Sequence, residues 1–143
     1  MTAASGETMA AMTTSRRETA SVAGLVGLLA AAGVTHLVRP ALYDGLIPRA
    51  LGAPRPWVLG SGVAELACAA AVTVPATRRL GALATAALFA VVLPGNVTMA
   101  VRMQRSRRPR TARRRVALAV AWLRLPLQVP LVLWALRVAR RAA

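Results

Sequence analysis

In 143 residues there is no lysine and there are only four acidic side chains, one cysteine, one histidine, one phenylalanine and one tyrosine. A lone cysteine, Cys68, excludes an internal disulfide and a Cys-x-x-Cys redox centre. It reads instead as a small buried packing residue, one helical turn from Glu65. No motif for haem, flavin, an iron–sulfur cluster or a metal ion is present, so no metal is expected. The shortage of aromatics, 3% of the chain, leaves the cationic side chains without stacking partners. Nucleic acid is therefore not an expected partner, even at a formal net charge of +15.

What remains is apolar residues and arginine. The hydrophobic share is 57%, the profile of an integral membrane protein. All nineteen cationic residues are arginines, and they fall mostly between apolar runs. That arrangement marks loops held on one side of a bilayer and resting on anionic headgroups.

Residues 1–18 are rich in Ala, Thr, Ser and Met without apolar periodicity and read as a disordered tail. Residues 19–143 read as one domain with four spans, at about 20–38, 57–74, 80–101 and 116–138. The expected fold is all-α, an integral membrane antiparallel four-helix bundle. Arg39-Pro40 ends the first span, because proline disfavours helix for the residue before it. Gly24, Gly27 and Gly33 in that span would let a neighbouring helix approach closely. The connection over residues 41–56 is proline-rich, with Leu42, Leu46, Ile47 and Leu51 able to lie in the membrane interface. Residues 75–79 form a tight turn, and residues 102–115, with eight arginines, form a solvated loop.

The second span, from Trp57 to Val74, carries a single formal charge, Glu65. A carboxylate inside the bilayer costs at least ~2.5 kcal/mol and must face protein, find a partner or carry a proton. With alternating span directions, the ends at Val38, Trp57, Val101 and Val116 share one face of the membrane. From that face the helical rise places His36 ~3 Å deep, Asn96 ~8 Å, Glu65 and Arg124 ~12 Å and Gln128 ~18 Å. The polar side chains thus gather in one half of the bilayer. Matching depth makes Glu65 and Arg124 the expected ion pair, with Gln128 one turn beyond Arg124 on the same helix. Asn96, two residues after Pro94, can satisfy backbone groups freed by the proline kink. A bundle locked by these groups with no ligand is equally compatible with the residues alone.

His36-x-x-x-Pro40, Ile47-Pro48, Gly62-x-x-Glu65, Pro94-x-Asn96 and Arg124-x-Pro126-x-Gln128 follow one another in order over residues 22–136. Together they resemble the DoxX family. The resemblance implies a small four-helix protein of the bacterial inner (plasma) membrane, multi-pass, whose namesakes are subunits of thiosulfate:quinone oxidoreductase or quinol oxidase systems. Most relatives have no assigned activity, and the long arginine loop departs from many of them. Whether the chain is an enzyme is left open, since a redox role would need a quinone or a partner subunit of a redox complex. Two classes follow: a bundle binding a quinone- or lipid-like molecule through His36, Glu65, Asn96, Arg124 and Gln128, or a structural or accessory subunit. A small proton-coupled transporter fits less well, because its usual membrane carboxylate lies in the first span.

Overall fold

Leu25, Leu29, Gly33 and His36 recur every three or four residues and are buried along one stripe of a helix. Val58, Gly62, Glu65, Ala69 and Val72 repeat the pattern in a second helix, and Ala82, Ala86, Phe89, Asn96 and Ala100 in a third. In the fourth, Ala121, Gln128 and Ala135 are buried at seven-residue intervals. These stripes face one another. The computed structural model describes residues 3–47, 51–107, 109 and 111–142, and among these there is no strand. Pro48, Arg49, Arg108, Arg110 and the Leu46 side chain, which enter the sequence reading, lie outside the described parts.

The helices are α1 (Ala3–Val38), α2 (Pro54–Thr73), α3 (Arg78–Arg105) and α4 (Ala112–Arg141), joined by short 3-10 turns at Pro40–Leu42, Asp44–Leu46 and Pro75–Thr77. Each is long and apolar enough to cross a membrane. Pro54 begins α2, where its missing N–H costs nothing. At the other end of α2, Thr77 Oγ1 donates to the Ala71 carbonyl (2.9 Å), and Arg78 donates to the carbonyls of Val72 (3.0 Å) and Thr73 (3.2 Å). These side chains satisfy the carbonyls that a helix end leaves open. Thr111 caps α4 by accepting from the Arg114 amide at 3.3 Å.

Three expectations change in extent. Helix α1 runs back to Ala3 through residues 3–18, the stretch expected to be a tail. The third span, expected over 80–101, extends as α3 over Arg78–Arg105 with Pro94 inside it. The arginine-rich stretch 102–115 is largely helical: Arg102 and Arg105 extend α3, Arg113, Arg114 and Arg115 open α4, and only residues 106–111 connect them. Arginine is a good helix former, so charge ends an apolar run without ending the helix. Arg114 orders the connection by donating to the carbonyls of Met103 and Ser106, both at 2.8 Å.

Helix α1 packs on α2, α2 on α3, and α3 on α4, while α1 and α4 touch only slightly. The apolar core joins Leu25 and Leu29 to Cys68, Ala69, Val72, Ala82, Ala86, Phe89, Ala135, Val138 and Ala139. Two crossings are set by glycine. A Cβ on Gly33 would lie 2.9 Å from the Gly62 carbonyl oxygen, and one on Gly62 would lie 2.9 Å from His36 Cβ. At Gly81 it would meet the Ala71 and Val72 backbone at 2.8 Å. Gly24 instead takes the Trp134 ring against it, and Gly27 has nothing within 4 Å, so only Gly33 of the three performs the expected helix approach.

Candidate functional site

Of the buried polar side chains, Thr85 turns back to its own helix, donating to the Gly81 carbonyl at 2.7 Å. The other four, His36, Glu65, Asn96 and Gln128, all lie beyond the apolar core toward one end of the bundle. Each sits on the buried stripe of its helix, one per helix, which is why they face inward. The gathering expected from depth is present. Its pairing is not the expected one.

Glu65 does not meet Arg124. Arg124 is exposed on α4, and the carboxylate has His36 as its neighbour, with Oε2 2.8 Å from Nδ1. Arg124 stands at the edge of the stripe formed by Ala121, Gln128 and Ala135, and its long side chain turns outward. Gln128, one turn on, turns inward, so the two do not share a space.

His36 Nδ1 also lies 2.9 Å from the Ala32 carbonyl oxygen. A backbone carbonyl can only accept, so this contact places the ring proton on Nδ1 and leaves Nε2 outside it. Glu65 Oε2, although 2.8 Å from the same nitrogen and buried, makes no hydrogen bond among the described residues. The chain reversal after α1 lays the half-buried Tyr43 ring on the imidazole, centroids 3.8 Å apart and planes tilted by 30°. About 11% of each of the His36 and Glu65 side chains remains exposed, so the pair is not sealed.

Asn96 and Gln128 form a separate contact between α3 and α4. Asn96 Nδ2 donates to Gln128 Oε1 at 3.3 Å, and Gln128 Nε2 donates to the Phe89 carbonyl. Pro94 removes the helical donor to the carbonyl of Ala90, the residue after Phe89. Gln128 rather than Asn96 therefore reaches the backbone near the proline.

The sequence carries no motif that marks Tyr43 or Asp44 as part of the site. Tyr43 reaches His36 only because Pro40 ends α1 and the next residues fold back, its amide donating to the Pro40 carbonyl at 2.9 Å. Asp44 next to it has a buried Oδ1 that accepts no hydrogen bond among the described residues. Among the described residues no three of His, Cys, Asp and Glu are grouped to hold a metal ion.

Four helices able to cross a membrane, with a His–Glu pair and an amide pair at one end of an apolar core, define a small four-helix protein of membrane-spanning class. Residues 25–139 match the family described as Domain of unknown function (DUF8561), and the chain belongs to that family. No curated protein and no solved structure matches the chain.

Proposed function

We propose that the protein is a multi-pass membrane protein of the DoxX type that binds a lipid-soluble molecule with a hydroxyl-bearing head, of the quinol class, at the His36–Glu65 end. One observation carries this reading: Glu65 Oε2 is buried, beside an imidazole, and accepts no hydrogen bond. A buried carboxyl oxygen that makes no hydrogen bond costs roughly 1–3 kcal/mol, and the 11% of the Glu65 side chain that stays exposed is where a donor such as a ligand hydroxyl would reach the group. A quinol supplies two hydroxyls, and its two-electron, two-proton chemistry is its own. The protein's part is to accept a hydrogen bond at Glu65 and to take or return a proton at His36 Nε2, while Nδ1–H is fixed by Ala32. A Glu–Arg pair would hold two permanent charges, whereas a Glu–His pair can become neutral by shifting one proton. That difference favours proton handling over a static ion pair. A partner subunit would carry any electron transfer, and the bacterial plasma membrane is the setting the family resemblance implies.

The test is thermal unfolding of detergent-solubilised protein titrated with a short-chain quinol and with its quinone. At ligand about a hundredfold above Kd, mass action adds about 2.7 kcal/mol to the folded state. The quinol should stabilise the wild type more than the quinone, and Glu65→Gln should abolish the difference. No response of the wild type to either form would reject the reading. The accessory-subunit reading is favoured by one observation, the Asn96–Gln128 contact, whose amides bond to each other and to backbone and so tie α3 to α4.

A further inference from the structure

At the end of the bundle opposite His36 and Glu65, a cavity of about 360 Å³ opens where α1 and α4 diverge. Helix α1 contributes Glu18, Ser21 and Val22 at helical spacing, α4 contributes Trp134, Arg137, Val138 and Arg141, and Arg78 enters from the start of α3. The slight contact between α1 and α4 makes this the least closed seam of the bundle. Its floor is apolar, with Val138 buried, and its wall is the Trp134 ring. Its mouth is cationic. Three guanidiniums face one carboxylate, Glu18, which stands 3.9 Å from Arg141 with both side chains about half exposed.

The protein leaves part of this donor set open. Arg137 makes no hydrogen bond or ion pair among the described residues. Arg78 gives two of its five donors to the uncharged carbonyls of Val72 and Thr73, so its charge is unmatched and three N–H groups remain. Ser21 Oγ accepts from Trp134 Nε1 at 2.8 Å, which fixes the indole and leaves the hydroxyl hydrogen to donate.

We infer that this cavity is a binding site for the headgroup of an anionic phospholipid. The phosphate meets Arg137, Arg141 and Arg78, with Ser21 as a further donor, and the first methylenes of the acyl chains lie on Val22, Val138 and Trp134. Arginine suits the role because its planar fork matches a phosphate with two parallel hydrogen bonds. A tryptophan anchored at a helix end suits the boundary between headgroup and chain. A soluble phosphate would use the cationic mouth alone and leave the apolar floor and the open seam without a purpose.

Native mass spectrometry of purified protein, exchanged into detergent with added phosphatidylglycerol or phosphatidylcholine, reads the site directly. The wild type should retain phosphatidylglycerol in preference to phosphatidylcholine, and inorganic phosphate at millimolar concentration should not displace it. Arg137→Gln with Arg141→Gln should weaken retention roughly 25-fold, each arginine near a lipid surface contributing about a factor of five. Arg79→Gln with Arg140→Gln removes the same charge from the neighbouring seam between α3 and α4, outside the cavity, and should change retention little. The inference is overturned if the two double variants lose lipid equally, since the effect is then general attraction to a basic surface. It is also overturned if both lipids bind alike or if inorganic phosphate competes. Both variants change exposed residues at helix ends, so folding should survive, and the circular dichroism of each checks that it does.

Discussion

Histidine as the partner of Glu65 changes what the pair can do and what its removal should cost. Taking away either member of a buried pair strands the other, at on the order of 3–5 kcal/mol when both are charged. His36→Phe should therefore lower solubilised stability markedly, and His36→Phe with Glu65→Leu should recover much of the loss. Thermal unfolding of the singles and the double checks this, and singles as stable as the wild type would show that the two side chains do not interact. Arg124→Leu should behave differently. Its side chain is exposed, so the change should stay within about 0.5 kcal/mol of wild type, where a buried partner of Glu65 would have cost far more. Gln128→Leu removes both a donor and an acceptor from the α3–α4 contact and should cost roughly 1–3 kcal/mol by the same assay, without affecting any ligand.

Glycine sets how closely the first two helices cross, and the crossing positions His36 over Glu65. Gly62→Ala would push a methyl group to within 3.0 Å of the Gly33 carbonyl oxygen and against His36 Cβ, so the helices must separate. A loss of roughly 1–3 kcal/mol is expected from such overpacking. Gly27→Ala, with open space around it, should instead be neutral or raise stability by up to about 1 kcal/mol through helix propensity. Equal effects at the two positions in thermal unfolding would contradict the crossing. Where helices lie was legible in the sequence, because apolar length is a strong signal. Their ends were not, since arginine halts hydropathy while favouring helix, and α3 and α4 extend through Arg105 and from Ala112. Depth along each span was legible too: His36, Glu65, Asn96 and Gln128 are all buried, in two separate pairs. It is a one-dimensional coordinate, however, and cannot say which way a side chain turns. Arg124 matched Glu65 in depth and missed it in rotation, whereas the stripe Leu25, Leu29, Gly33, His36 held the rotational information. Tyr43 was illegible because its contact depends on the turn after Pro40, not on any periodicity.

The bundle as a whole carries its charge unevenly, and that fixes an expected orientation. The connections on the His36 side hold the arginine-rich stretch around residues 106–111, which the positive-inside effect places in the cytoplasm with both chain ends outside. Reporter fusions should be active at Ala143 only for a reporter that works outside, and fusions in the connection between α3 and α4 only for one that works in the cytoplasm. The reverse pattern would invert the assignment. Both orientations leave the proposed quinol-class site near one membrane face and the proposed phospholipid site at the other, so their tests are independent. The central claim concerns the first of these, that His36 and Glu65 serve a ligand and are not merely a helix lock. Its most direct measurement is solvent extraction of the purified protein followed by mass spectrometry of the lipid-soluble fraction, wild type beside Glu65→Gln and Arg124→Leu. A hydroxyl-bearing, quinol-class molecule should accompany the wild type and Arg124→Leu in near-stoichiometric amount and be lost from Glu65→Gln. Wild-type protein yielding only bulk phospholipid, or Glu65→Gln retaining the molecule in full, would contradict the claim.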